Sequence, residues 1–246
     1  MITQFHLQGQ TILITGASSG IGSCVAQQIS AMGGIPVLTG RDSVKLEETA
    51  KLCGGNPLII TADLCDASSR EKLAAAVPQL NGLVNCAGTV HPFPVRFIDQ
   101  KKLDETMNIN FEAPLLLTGL LLKKKKIESG SSMVYISSVS SDRPLAGASL
   151  YGASKAGIES MVKVLAQELG SQKIRVNSVS PAMVRTPMYD KAEAMVSKEE
   201  MDAHIAEYIL GVGYPEDVSN AIIFLLSPAS RWITGTTIRL DGGLLL

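Results

Sequence analysis

The sequence predicts an α/β fold, a doubly wound parallel seven-stranded sheet with helices on both faces, in three layers. Three observations predict it. Short β-branched runs alternate with segments of helical length, the rhythm of repeated βαβ units. The runs are nearly continuous in apolar residues, as strands covered on both faces must be. Hydrophobic residues make up 46% of the chain and aromatics only 4%, a composition suited to an aliphatic core under helices. At 246 residues the chain is long for one domain, yet α/β folds of this size close around one core, so a single domain over 1–246 is expected.

The first strand is TILIT, 11–15. It runs into Thr15-Gly16-Ala17-Ser18-Ser19-Gly20-Ile21-Gly22 and then a helical pattern reaching about Met32. Glycines at a strand-to-helix turn let the backbone bend sharply and approach a diphosphate, while free N–H groups at the helix N-terminus face the negative charge. Gly16, Ser18, Ser19, Gly20, Ile21 and Gly22 are therefore candidate ligands of a dinucleotide, and the sheet is expected to be Rossmann-like. The spacing is Gly-x-x-x-Gly-x-Gly and not the commoner Gly-x-Gly-x-x-Gly. Taken alone, such a loop can also be a mere tight turn.

The second strand, IPVLT at 35–39, ends in Gly40-Arg41. A site for NAD would place a carboxylate there for the ribose hydroxyls. Glycine instead leaves room for a 2′-phosphate, and a guanidinium binds phosphate through paired charge-assisted hydrogen bonds. NADP is the expected cofactor. NAD stays open, because Asp42 could hold the ribose with Arg41 pointing into water, and the glycine loop has no second basic residue. The third strand is PLIIT, 57–61, and Asp63 at its end, with Leu64 beside it, could meet the adenine amino group. The fourth is GLVNC, 82–86, where Asn85, Ala87 and Gly88 would let the backbone pass close to the nicotinamide ribose. Each could be ordinary turn chemistry. They gain weight by recurring at successive strand C-termini, the edge where open α/β sheets bind ligands.

A helical pattern then runs from near Asp99 to Lys123–Lys126. Four ammoniums at a helix C-terminus oppose the negative end of its dipole, as a solvated cap would; a docking patch for an acidic acyl carrier protein is the sharper alternative. The fifth strand, MVYIS at 133–137, leads to Ser138. Tyr151 and Lys155 lie four apart at the start of the next helical pattern, so both project from one face. An unperturbed tyrosine titrates near ~10, and a neighbouring cation stabilises phenolate and brings that value toward the working range of a proton shuttle. After the sixth strand, IRVNSVS at 174–180, the rhythm breaks between Pro187 and Gly213. This insertion, 187–213, is expected to form a substrate lid, with adaptable Met183, Met188, Met195 and Met201 and with Tyr189 and Tyr208 at the rim. The methionines could equally just pack a helical pair onto the domain. TTIRL, 236–240, is the seventh strand.

With these motifs in register the chain resembles the short-chain dehydrogenase/reductase family, and the 3-oxoacyl-carrier-protein reductases within it. The resemblance covers the whole length: the glycine motif at Thr15–Gly22, the Asn-Asn-Ala-Gly motif at Asn85–Gly88, Asn110, Ser138, Tyr-x-x-x-Lys at Tyr151–Lys155, Asn177-Ser178-Val179-Ser180-Pro181, and Asp241-Gly242-Gly243. It implies that Tyr151 gives or takes the substrate proton and that Ser138 hydrogen-bonds the reacting oxygen. It implies further that Lys155, and Tyr151 with it, borders the nicotinamide ribose, and that Asn110 holds a relay water behind Lys155. The carboxamide would lie near Pro181, Val184 and Thr186. Hydride transfer belongs to the cofactor and the protein supplies position and polarisation. The activity implied is transfer of hydride between NAD(P) and a ketone or secondary alcohol, preferably reduction of an apolar or acyl ketone; the rival class is an NADP-binding sensor or structural subunit without turnover. Cys86 departs from the family at the second asparagine, and Ala182 replaces the glycine after Pro181.

Composition narrows the partners. A net charge of −1 and a pI near 6.3 give no field to gather phosphate backbones, so nucleic acid is not expected. Cys24, Cys53, Cys65, Cys86 and His6, His91, His204 have no metal-ligand spacing, which argues for reduced thiols, no metal and a cytoplasmic setting. The N-terminal MITQFHLQGQ lacks the pattern of a secretory signal, and the longest apolar stretch, 114–122, is far below the roughly 20 residues a bilayer requires, so no membrane association is expected. The apolar end Leu244-Leu245-Leu246 and the family's habits imply a homodimer or homotetramer.

Overall fold

In the computed structural model, which describes residues 3–193 and 197–246, seven strands form one sheet in the order β3-β2-β1-β4-β5-β6-β7. They are β1 Thr11–Thr15, β2 Ile35–Thr39, β3 Leu58–Ile59, β4 Leu80–Asn85, β5 Ile127–Ile136, β6 Arg175–Pro181 and β7 Thr237–Leu240. Every pairing is parallel. The continuous apolar runs have the expected cause. In β1, Leu13 enters a core under α3 (Ala67–Ala76), α5 (Ala113–Lys123) and α6 (Ser149–Leu169), while Ile12 and Ile14 enter a second core under α1 (Gly20–Ala31), α2 (Ser43–Cys53) and α9 (Pro215–Leu226). Both strand faces are thus buried, each large aliphatic side chain contributing about 1.5–3 kcal/mol.

The strand order reverses between β1 and β4. β1 to β3 step to one side, β4 returns to the other, and Thr15 and Asn85 end up as register partners at the strand C-termini. Loops leaving such a pair diverge and open a crevice.

Three expectations need correction. The third strand shrinks from 57–61 to two residues, because it is an edge strand with β2 as its sole neighbour and follows Gly54 and Gly55 at φ +64° and +68°. Its backbone still tracks β2, Ile60 N–H donating to the Leu38 carbonyl and Ala62 N–H to that of Gly40, so Asp63 lies beyond the strand rather than at its end. The helix expected from Asp99 to the lysines is interrupted: α4 (Gln100–Met107) and α5 are joined by a π-helical turn, Asn108–Glu112. Pro114 explains the widening, since its ring has no N–H and would collide with the carbonyl four residues back, that of Asn110. Lys123–Lys126 lead into the start of β5, at the sheet edge opposite the crevice; Lys124 pairs with Glu71 at 3.0 Å and Lys126 Nζ donates to the Val77 carbonyl at 2.7 Å.

The insertion supplies α7 (Pro187–Glu193) and α8 (Lys198–Ile205) and is tied back by a parallel bridge between Val184 and Gly213. Tyr189 and Tyr208 are 6% and 7% exposed and both line the cleft that holds Tyr151 and Lys155, as buried wall residues: Tyr189 packs on Met201 and Val212 and the Tyr208 hydroxyl accepts from Met183 N–H. Met201 is a packing residue, Met183 and Met188 face the cleft, and Met195 lies outside the described residues.

Candidate active site

The glycine loop is shaped by what it excludes. Gly16 has φ +64°, and a Cβ there would come within 2.9 Å of the Ala87 backbone; one on Gly22 would collide with the Gly16 carbonyl oxygen. Gly20, at φ +53°, lies against Thr186. Thr15, fully buried, accepts from Cys86 N–H and Ala87 N–H, both at 3.1 Å, and so fastens the Asn85–Gly88 turn to the glycine loop. Asp42, Asp66 and Asp99 cap α2, α3 and α4 through their carboxylates, whereas Ser19 makes no side-chain cap at α1. The N–H groups at the start of α1 are left for another acceptor.

Further along the crevice, a Cβ on Gly40 would sit 3.7 Å from the Ser18 hydroxyl. The exposed Arg41 makes no ion pair among the described residues, while Asp42 Oδ1 is engaged by Lys45 N–H at 3.1 Å. Asp63 is exposed and accepts from Cys65 N–H; Leu64 is buried and its carbonyl accepts from Arg70 at 2.6 Å. Asn85 is buried with both side-chain polar atoms unpartnered. A glycine cradle that any Cβ would fill, an uncapped helix and an unpartnered buried amide fit a dinucleotide.

Tyr151 and Lys155 rise from the first turns of α6 and face Ser138, just past β5. Lys155 is 5% exposed, its Nζ donating to the Ile136 carbonyl at 2.8 Å and standing 5.6 Å from the centre of the Tyr151 ring. Burial pulls its pKa down to about 8. Burial pushes the Tyr151 phenol up, opposed by a hydrogen bond with the Ser138 hydroxyl. The expected lowering of the phenol by Lys155 is not found: loss of solvent raises it, the one opposing effect is the Ser138 hydrogen bond, and the ammonium is held toward Ile136. Asn110, turned inward by the π-helical turn, accepts from Thr89 N–H at 2.8 Å and donates to the Thr89 carbonyl at 2.9 Å and Ser154 Oγ at 3.2 Å. Both its N–H bonds are engaged, so one acceptor lone pair remains for the expected water. Gly88 lies over this group, a Cβ there falling 3.1 Å from Asn110 Oδ1 and 3.6 Å from Lys155 Nζ.

Ser138, Tyr151 and Lys155 share one cleft of about 260 Å³ with Ile21, Gly88, Pro181, Val184 and Thr186, while Asn110 is buried behind its lining. Gly16, Ser18, Ser19, Gly20, Gly22, Arg41, Asp63, Leu64, Asn85 and Ala87 lie outside its lining: the glycine loop follows β1, Arg41 follows β2, Asp63 and Leu64 follow β3, and Asn85 ends β4. Sequence reasoning misses Thr15 and Thr89 as anchors, although at Thr15 a threonine ending a buried strand is a sign of turn bonding.

A dinucleotide crevice at the reversal of a parallel sheet, opening into a cleft that gathers a phenol, an ammonium and a hydroxyl, defines a nicotinamide-dependent class of protein. Comparison with known proteins agrees. The family model described as Enoyl-(Acyl carrier protein) reductase matches residues 16–245. The 3-oxoacyl-[acyl-carrier-protein] reductase FabG of Rickettsia felis is 33% identical over 245 residues, 98% of each chain. A tropinone reductase homolog of Arabidopsis thaliana is 35% identical over 250 residues, 98% of this chain and 91% of that one. Among solved structures, the short-chain dehydrogenase/reductase SDR:Glucose/ribitol dehydrogenase from Brucella melitensis superposes with a TM-score of 0.92 at 30% identity, covering 99% of both chains. The chain belongs to the short-chain dehydrogenase/reductase family and is an NAD(P)-dependent oxidoreductase.

Proposed function

We propose that the protein reduces an apolar or acyl ketone, 3-oxoacyl compounds included, to the secondary alcohol with NADPH. The observation that carries this is the meeting of Tyr151, Ser138 and Lys155 in a cleft walled largely by Val90, Val139, Leu145, Met183, Met188 and Leu244. Nicotinamide, when bound, would supply the hydride that the carbonyl carbon accepts. Ser138 donates to the carbonyl oxygen and holds it beside Tyr151, whose phenol delivers the proton as negative charge builds on that oxygen. A phenol pushed upward by burial stays protonated at neutral pH, which suits a donor to an alkoxide, the stronger base. Lys155 would hold the nicotinamide ribose and would support the phenolate left behind. Asn110 fixes Thr89 and with it Gly88 over Lys155. The segment 187–213 closes over the substrate.

Gly16, Ser18, Ser19, Gly20, Ile21 and Gly22 hold the diphosphate; Asp63, Leu64, Asn85, Ala87 and Gly88 border adenine and ribose; Pro181, Val184 and Thr186 border the carboxamide. NADP is preferred over NAD because Asp42 Oδ1 is engaged as a helix cap by Lys45 N–H, glycine at position 40 keeps a side chain from crowding Ser18, and the exposed Arg41 makes no ion pair among the described residues. The ketone is presented free or as a carrier thioester, and Lys123–Lys126, at the opposite sheet edge, takes no part in docking it. Four unpaired cysteines suit a reducing cytoplasm. Exposed apolar faces on α5 and near β7 suit a homo-oligomer.

The test is cofactor oxidation against a panel of apolar and 3-oxoacyl ketones, with NADPH and NADH. Tyr151→Phe is expected to lower kcat about 10²–10⁴-fold. Arg41→Ala is expected to weaken NADPH about ten- to a hundredfold, the loss of one charge-assisted contact, and to leave NADH alone. A wild type that turns over none of the panel, or that prefers NADH, would overturn the proposal.

A further inference from the structure

Four residues after Lys155, on the same face of α6, Glu159 reaches back to the segment that carries Ser138. The Ser137 hydroxyl lies 2.6 Å from Glu159 Oε1 and 3.2 Å from the Lys155 carbonyl. The Ser141 hydroxyl lies 2.7 Å from the same Oε1 and 2.8 Å from the Ser138 carbonyl. Each hydroxyl has a single proton, and the carboxylate is the stronger acceptor. One carboxylate oxygen therefore gathers the residue before Ser138 and the residue three after it. With Lys155 Nζ on the Ile136 carbonyl, the whole stretch 136–141 is laced to two successive turns of α6.

We propose that Glu159 is a positioning residue of the reaction: it holds the Ser138 segment in register with Tyr151 and Lys155 without touching substrate or cofactor. The geometry leaves the task to it. Ser138 sits where an extended strand passes into a short 3-10 turn, and its own hydroxyl accepts a 3.2 Å contact from Ser140 N–H and is hydrogen-bonded with the Tyr151 phenol. The first bond stays within its own turn and the second is given up when the ketone takes its place between the two hydroxyls, so the backbone beneath Ser138 must be fixed by neighbours. Ser137 and Ser141 do so, and both converge on Glu159. In a site where the proton donor and the polarising hydroxyl stand on different elements, the link between those elements sets their separation. A misplacement on the order of 1 Å lowers the rate by about 10²-fold.

This inference rests on the ketone-reductase proposal for its kinetic readout, and a second readout separates the two. Glu159→Leu removes the acceptor; Glu159→Gln keeps a carbonyl oxygen that can accept both hydroxyls. Glu159→Leu is expected to lower kcat about 10- to 100-fold, with NADPH affinity, followed by cofactor fluorescence, and melting temperature close to wild type; Glu159→Gln is expected to restore kcat to within about threefold. In parallel, hydrogen exchange of the amides at 138–143 is expected to accelerate in Glu159→Leu while α6 is unchanged. Wild-type kcat in Glu159→Leu, or loss of NADPH affinity and melting temperature in step with kcat, would overturn the role. If the wild type reduces no ketone, the ketone proposal fails, and the exchange experiment still decides: unchanged protection at 138–143 in Glu159→Leu would remove the link.

Discussion

Lys155 holds its charge where charge is disfavoured. Burial lowers its pKa from the ordinary 10.5 to about 8, so at neutral pH the folded chain maintains an ammonium that the unfolded chain would solvate better. Below pH 8 this opposes folding by on the order of 3 kcal/mol. Between pH 8 and 10.5 the unfolded state binds the extra proton, so this contribution to stability improves as pH rises. Lys155→Met is accordingly expected to melt higher than wild type at pH 7 without cofactor, with the difference closing as the pH is raised from 8 toward 10.5, and to lose activity throughout. A variant that melts lower at pH 7, or a gap that widens with pH, would show that the bond to Ile136 outweighs the burial of the charge. At this scale the sequence was partly legible. The spacing of Tyr151 and Lys155 identified a shared helix face because i,i+4 geometry is local. Glu159 was invisible, since an acidic residue on a helix reads as solvated until the chain brings Ser137 and Ser141 to it. The balance of effects on the phenol was also illegible: a charge partner can be read from spacing, but desolvation depends on everything packed around it.

Elements show the same division between local and long-range causes. β1 and β2 begin and end where their β-branched runs do, because both lie inside the sheet and every residue has a neighbour to bond. β3 does not, because an edge position and two left-handed glycines act against a run of equal apolarity. The π-helical turn at Asn108–Glu112 follows from Pro114, a local cause, but its consequence, Asn110 pointing at Thr89, needs the fold. In the insertion, α8 begins with a reciprocal cap: Ser197 Oγ accepts from Glu200 N–H at 3.2 Å and Glu200 Oε2 from Ser197 N–H at 3.0 Å. Removing such a cap destabilises its helix by about 1 kcal/mol. In an eight-residue helix held by a small cluster around Tyr189, Met201 and Val212, that is enough to loosen the insertion locally without unfolding the sheet, and the proposed closure over the substrate would feel it. Ser197→Ala is therefore expected to raise KM for the ketone about fivefold, the equivalent of ~1 kcal/mol, with NADPH affinity and global melting temperature unchanged. If KM is unmoved, α8 does not close over the substrate.

At the scale of the whole molecule, two surfaces are more apolar than solvent contact requires. On α5, Leu115 and Leu116 are exposed one turn before Gly119, around whose missing Cβ there is open space, and Val164 is exposed on α6. Around β7, the open end of the sheet, Ile209, Leu210 and Leu246 are exposed and Trp232 is 90% so. Helix faces beside a small residue permit close approach of a second copy, and an edge strand flanked by a free indole is the kind of margin that proteins cover. In an isolated chain Leu115 and Leu116 already face water, so replacing both with glutamate leaves its core intact. In an assembly that buries them, the same change places carboxylates in an apolar contact at a penalty of several kcal/mol. Light scattering is expected to give the wild type a multiple of the 26.1 kDa chain mass. Leu115→Glu with Leu116→Glu is expected to give a smaller multiple and a melting temperature that no longer rises with protein concentration. Should the double variant keep the wild-type mass, α5 is not an interface and the margin around Trp232 is left to hold any assembly. Should the wild type run at 26.1 kDa, both faces are bare in solution, and the catalytic cleft must then keep its shape on the strength of one chain.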